Sequence, residues 1–459
     1  MDRERIVAAI KRSRADYTEI RIESSRSTQV VFRGRSLETV DLTSDEGGIV
    51  RCLVRGGGWG ISTFNNLAQL KQRVDDAFQN ARLVQAEPIS LAHVVFTQDE
   101  IKSELVTDFR QIPLVQKKEL SETYNAILLS YHGVIDTHTT YADEFTTLTY
   151  ANSEGAFFTE ERPMIMMWME ATAREGDNVQ QAYDGLALPA GFEQVLGLET
   201  LAHLVGQRAV ALIKAKTVVG GQYPVICDPL LAGIFIHEAF GHLSEADFVY
   251  ANPSAQQMMV LGRRFGPEWL NVIDDGSLPS RRGTHRYDDE GTPTQHTELI
   301  RQGILVGRLH SRETAAHMGE APTGNARSTG YRFPPIVRMT NTYIDQGTTS
   351  FNDMISDIKL GVYACDAFGG ETMLENFSFS AGYGYMIRNG RVAELVKDVV
   401  LGGNLFTTLQ DIVAIGNDLA FSRGGSCGKG QGQGLPVSTG APHVRIENVA
   451  VGGRPDEEE

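Results

Sequence analysis

Apolar and polar positions alternate along this chain with two periods, one helical and one strand-like. Residues Arg3 to Arg14 carry the three-to-four spacing of an amphipathic helix. Tyr17 to Ser24, Thr28 to Arg33 and Gly47 to Arg55 follow with the two-residue alternation of strands. Gly56-Gly57-Gly58 then turns the chain back into Trp59-Gly60-Ile61-Ser62-Thr63, which predicts a hairpin. These glycines are not followed by a helix or a Lys-Ser/Thr pair, so they read as a turn rather than a phosphate loop. Asn66 to Leu83 spaces Leu67, Leu70, Val74 and Ala77 as one helix face, and Leu114 to Tyr131 is a second long helix. Strands are expected at Val134 to Tyr141, Glu144 to Ala151 and Met164 to Ala173, and a helix at Leu198 to Lys216.

The pattern changes after Val218-Val219-Gly220-Gly221. Beyond Glu245 long helices are scarce, and strand pairs dominate, with Asn389-Gly390 as a two-residue turn signal. The expectation is an α+β protein: an N-terminal α/β region over residues 1–216, then a β-rich domain over residues 217–459. The second domain should form a closed or strongly curved, barrel-like antiparallel sheet. One helix interrupts it. Asp228-Pro229 provides an N-cap and a first-turn proline, and Leu230, Leu231, Ile234, Phe235 and Ile236 cover nearly every face, so this helix should be internal.

The same helix runs into His237-Glu238-Ala239-Phe240-Gly241-His242. An ionised carboxylate in apolar surroundings is costly unless it is paired or lies beside a metal. Neutral imidazoles ligate divalent zinc, and a neighbouring carboxylate can accept the proton of an attacking water. The bland alternative is a buried helix whose polar groups bond to their neighbours. Spacing sets a condition on the metal reading: five residues of ideal helix leave the two imidazoles roughly 140° apart. They can share one ion only if the helix breaks or takes up a single-turn bulge before His242. Gly241 stands where conformational freedom would serve that purpose. A catalytic zinc commonly takes three protein ligands. Glu245, Asp247, Cys227, Cys365 and Cys427 are all open as the third, and spacing does not choose among them. Cys427 lies in the glycine-rich run Gly424 to Gly432, with Lys429 close enough in sequence to favour a thiolate.

Composition narrows the function further. The chain has 459 residues, 41% hydrophobic and 22% charged, ordinary for a globular protein with room for more than one core. A net charge of -16 argues against nucleic acid or an anionic membrane as the main partner. No apolar run is long enough for a membrane span, and the N-terminus lacks a signal-peptide core, so a cytoplasmic location is expected. The four cysteines read as reduced thiols, and Asp456 to Glu459 as a solvated tail. His285, His296, His310 and His317 are read as ordinary surface or core residues. Arg338 and Asn341 suit hydrogen bonding to a substrate backbone and ordinary strand positions equally well.

Several segments together resemble the metal-binding TldD branch of the TldD/PmbA family. They are His237-Glu238-Ala239-Phe240-Gly241-His242, Tyr287-Asp288-Asp289-Glu290-Gly291, Arg338-Met339-Thr340-Asn341-Thr342 and Ser426-Cys427-Gly428-Lys429-Gly430-Gln431. The likeness runs from about residue 17 to about residue 453. It implies a zinc metalloprotease with His237, His242 and Cys427 on the metal and Glu238 as catalytic base. It also implies unfolded or flexible peptides as substrates, bound as an added strand, and a homodimer or a heterodimer with a related family subunit. The alternative within the family is a non-catalytic peptide-binding subunit. Such subunits lack the metal motif, whereas His237, Glu238, His242 and Cys427 are all present here. A hydrolase acting on other amides with the same residues is a further possibility.

Overall fold

The computed structural model describes residues 3–84, 87–96, 98–373, 375–430 and 432–453. The acidic tail expected from Asp456 to Glu459 lies outside them.

The N-terminal half is built on a seven-stranded sheet. Its strands are longer than local alternation suggests. Tyr17–Arg33 is one continuous strand, paired with Ser36–Leu53 on one side and Val134–Asn152 on the other. The polar stretch Ser24 to Ser27 does not interrupt it, because ladders on both edges satisfy its backbone whatever its side chains are. Likewise Val134–Asn152 joins two expected strands into one, and Phe157–Glu175 extends the third. The hairpin into Trp59–Phe64 forms as expected. Two helix pairs cover one face of the sheet. Arg3–Arg12 and Leu70–Leu83 bury Ile6, Leu70, Val74 and Ala77 against Ile20, Ile22 and Val50. Leu114–Leu129 and Glu199–Lys214 bury Tyr124, Leu128, Val205 and Ala209 against Tyr141, Met167 and Met169. The strand Asn178–Leu188, which local pattern does not signal, pairs with Phe157–Glu175 and matters below.

Residues from Lys216 onwards form a ten-stranded and a six-stranded sheet, along with small two-stranded pieces. The fold is α+β. The large sheet is open rather than a closed barrel, and it is mixed: Gly221–Cys227 runs parallel to Leu360–Cys365 while lying antiparallel to Val444–Gly452. Asn389-Gly390 makes the expected hairpin, both residues at positive φ.

Pro229–Ile236 is the pivot between the two C-terminal sheets. Asp228 caps it, accepting a hydrogen bond from the Leu231 amide at 2.8 Å. On one side Phe235 packs edge-on to Phe377 and Phe379 of the large sheet, at ring separations of 5.3 and 5.9 Å. On the other, Gly233 lies so close to Gly440 of the smaller sheet that a Cβ would come within 3.0 Å of its backbone nitrogen. The end of this helix is thereby held rigidly in the core.

Candidate metal centre

The α-helix stops at Ile236, and residues His237–Gly241 make a single π turn, followed by one 3-10 turn at His242–Ser244. The His242 amide bonds to the His237 carbonyl, five residues back. Each such bond takes one more residue than an α-helical one, so side chains five apart come onto one face. The expected single-turn bulge is present, and the imidazole centroids lie 5.4 Å apart. Gly241 does not supply it through unusual angles, since its φ of -56° and ψ of -50° are ordinary helical values. Glycine is needed there for space: a Cβ would lie 2.1 Å from Met339 Sδ.

Cys427 reaches the same point from far along the chain. It sits in the strand Ser426–Lys429, opposite Leu435 in Gly432–Pro436. The loop before it is tethered to the N-terminal half, where the Ala187 amide donates to the Arg423 carbonyl and Arg423 pairs with Asp184 at 3.3 Å. The strand Asn178–Leu188 therefore anchors the loop that delivers the thiol. Cys427 Sγ lies 3.1 Å from His237 Nε2 and 3.2 Å from His242 Nε2. Glu238 Oε2 is 3.6 Å from His242 Nε2. One donor atom from each of these four residues falls within 4.8 Å of all the others.

The remaining third-ligand candidates do other work. Glu245 is 1% exposed, and its Oε2 lies 3.1 Å from His242 Nδ1. Burial would raise this carboxyl, but His242, Lys429 and Arg338 outweigh that and hold it low, so it is the acceptor and Nδ1–H the donor. Its backbone is pinned as well, between amide and carbonyl bonds to Leu309 on either side of it. Lys429 contacts Glu245 at 3.0 Å and Asp247 at 2.6 Å, so it serves those carboxylates. The thiolate is favoured differently from what sequence proximity to Lys429 suggests: burial opposes it, but hydrogen bonds from His237 and His242 bring Cys427 down to about 5. Burial also opposes protonation of His242, yet Cys427 and Glu245 lift it to about 10. Cys227 and Cys365 are buried in the large sheet outside the cluster, and burial pushes both thiols up.

Two imidazoles, a thiolate and a carboxylate are a donor set suited to zinc. Ligands at ~2.0 and ~2.3 Å on a tetrahedral zinc stand roughly 3.5 Å apart. The sulfur–nitrogen contacts of 3.1 and 3.2 Å need only a few tenths of an ångström more to admit the ion. The residues present fit the metal.

The other histidines stay apart from this cluster. His310 bonds to Thr314 and Glu320, His296 to Asp275, and His317 packs at a tilt against Tyr250. Arg338 and Asn341 are fully buried, the first beside Glu245 and the second bonded to Asp275 and Gly283. Sequence reading offered Glu245 only as a ligand. The signal for its actual place is its position three residues after His242, which sets it against the far side of that ring.

Comparison with known proteins agrees with this architecture. Residues 18–82 match the model of PmbA/TldA metallopeptidase domain 1, residues 107–216 that of the central domain, and residues 220–453 that of the C-terminal domain. A protein of Synechocystis named a metalloprotease is 44% identical over 96% of both chains. One of Saccharolobus solfataricus, named a zinc metalloprotease TldD homolog, is 29% identical over 96% of this chain and 97% of its own. The crystal structure of TldE from Thermococcus kodakarensis shares the fold, with a TM-score of 0.76 and 18% identity, covering 98% of this chain and all of that one (100%).

Proposed function

The chain belongs to the PmbA/TldD metallopeptidase family, and from that premise we propose that it is a zinc-dependent peptidase cutting unfolded or flexible peptides. The observation that carries the proposal is the meeting of His237, Glu238, His242 and Cys427 within one 4.8 Å cluster. In this reading His237, His242 and Cys427 hold the metal. Zinc, when bound, supplies a Lewis acid that polarises the scissile carbonyl and makes an attacking water more acidic. Glu238 is the base: its carboxylate takes the water's proton and passes it to the leaving amine. Its side chain is 30% exposed, which suits a group that must meet substrate, while His237 is buried at 2%. Glu245 orients His242 by fixing its Nδ1 proton, so that Nε2, on giving up its own proton, would present its lone pair to zinc.

Peptides would bind as an added strand, read through backbone more than side chains. We assign the metal chemistry to a domain over residues 217–459 and the supporting sheet to one over residues 1–216. The working assembly is a homodimer or a heterodimer with a TldE-like subunit, in the cytoplasm. Among the described residues no helix is long and apolar enough to cross a membrane.

The test is zinc analysis beside a digest of casein followed by mass spectrometry. Zinc near one per chain and peptide fragments are expected, with Glu238→Ala keeping the metal and losing the fragments. Cleavage surviving in Glu238→Ala removes that residue as base. A metal-free, inactive protein points instead to the non-catalytic subunit.

A further inference from the structure

A cavity of about 370 Å³ opens between the long N-terminal sheet and the loops around Arg282 and Arg327, with Leu435 and Pro436 as one wall. Leu435 stands opposite Cys427 in the strand pair that carries the thiol, so the cavity adjoins the metal centre. Its volume suits a side chain or a terminal residue.

Three guanidinium groups line it, and they are not equivalent. Arg162 pairs with Glu160 at 2.7 Å and Asp289 at 3.3 Å. Arg327 donates to the carbonyls of Met339 and Pro436, at 2.5 and 2.8 Å. Arg282 has neither kind of partner. Among the described residues its guanidinium makes no hydrogen bond or ion pair, and its Nε is enclosed. Of the carboxylates that line the cavity, Glu23 and Asp289 pair with Arg21, Glu160 pairs with Arg162 and Glu161 accepts from Ser103, while Glu144 accepts from Thr146 at 3.4 Å and burial raises its carboxyl; among the described residues none of the five pairs with Arg282. Arg282 is half-buried, and a cation drawn partly out of water with no counter-charge paired to it is costly.

His285 is the second orphan. It is 9% exposed, its Nδ1 lies 2.9 Å from the Gly283 carbonyl, and its Nε2 is enclosed without a partner. Burial, with the charges of Arg327 and Arg162, keeps the ring neutral. Nδ1–H therefore donates to Gly283, and Nε2 offers a bare lone pair to whatever enters. An unpaired guanidinium and a lone-pair acceptor together match a carboxylate-bearing residue of a peptide. Its carboxylate answers the guanidinium, and an amide N–H answers the imidazole.

We propose that this cavity is a carboxylate subsite for peptide substrates, in which Arg282 takes a C-terminal or an Asp/Glu side-chain carboxylate and His285 Nε2 accepts an amide proton. The proposal rests on the peptidase reading above. It adds a preference that strand addition alone would not create, since backbone pairing is blind to side-chain charge.

The experiment uses the full chain carrying Glu238→Gln, so that bound peptide is not cut. One dye-labelled unstructured peptide is prepared in four forms, with a C-terminal acid or amide and an internal Asp or Asn, and binding is followed by fluorescence anisotropy. Replacing the recognised carboxylate should weaken binding about tenfold or more, and the form that suffers identifies its source. Adding Arg282→Gln should erase that difference and leave the amide–Asn form unchanged, while Arg282→Lys should retain part of it. Equal binding of all four forms, binding of none, or a preference that survives Arg282→Gln with the fold intact by thermal melt overturns the subsite. Casein cleavage by the unaltered protein reports separately on the peptidase reading, which can stand when the subsite falls.

Discussion

Glu245 Oε2 lies 3.1 Å from His242 Nδ1, behind the imidazole, whose opposite nitrogen meets Cys427 at 3.2 Å. A carboxylate so placed fixes the tautomer and aim of a metal-binding histidine without touching the metal. Glu245→Gln keeps the volume and one acceptor oxygen but removes the charge. Zinc affinity should fall about 10- to 100-fold, read by competition with a chromogenic chelator. Unchanged affinity would show that the contact is structural only.

Cys427 is the long-range member of the cluster, tied to His237 across 190 positions. Cys427→Ser should lower zinc from about one per chain towards zero, while circular dichroism stays that of the native fold. Full zinc occupancy in this variant would mean that Glu238 or another group completes the site.

The π turn is packed against Met339, and Gly241→Ala would drive a Cβ to 2.1 Å from its sulfur. The backbone there is helical, so the penalty is overpacking, about 1–3 kcal/mol. Urea unfolding should show that loss, and Met339→Ala in the same chain should recover part of it. If the double variant is no more stable than Gly241→Ala alone, the cause lies elsewhere than this contact.

Asp366 gives a dependence on pH away from the metal centre. Burial raises its carboxyl to about 7, with Asp228 and Asp184 adding to the rise and Arg208 and the Ala367 amide opposing it. The folded state thus holds a proton that the unfolded chain, with an ordinary carboxyl, releases near pH 4. Stability from this group is full below about pH 4 and is lost as pH climbs towards 7, by up to about 4 kcal/mol. Asp366→Asn should flatten that part of the pH–stability curve. Asn tolerates the left-handed backbone at this position, where φ is 60°. Parallel curves for the two proteins between pH 4.5 and 7.5 would rule the account out.

Local chemistry made much of this molecule legible. Asp228-Pro229 marked a helix start that the Leu231 amide confirms, and Asn389-Gly390 marked its hairpin. Strand ends were less readable. Ser24 to Ser27 looks like a break, yet partners on both sides carry the strand through it, and the edge strand Asn178–Leu188 left no local signal. A ladder's hydrogen bonds belong to backbone, so a strand's length depends on its neighbours as much as on its own side chains.

The amino-acid order by itself determined which donors exist and that one buried helix must deliver His237, Glu238 and His242 together. It also set the condition that five-residue spacing needs an extra residue in the turn. Tertiary structure decided the rest: that Met339 demands glycine at 241, that Glu245 stands behind His242, and that Cys427 rather than Cys227 or Cys365 arrives at the imidazoles. The reason is range. Capping and periodicity act over a few residues and are written locally, whereas a thiol meeting an imidazole 185 positions away depends on how whole sheets pack around the helix between them.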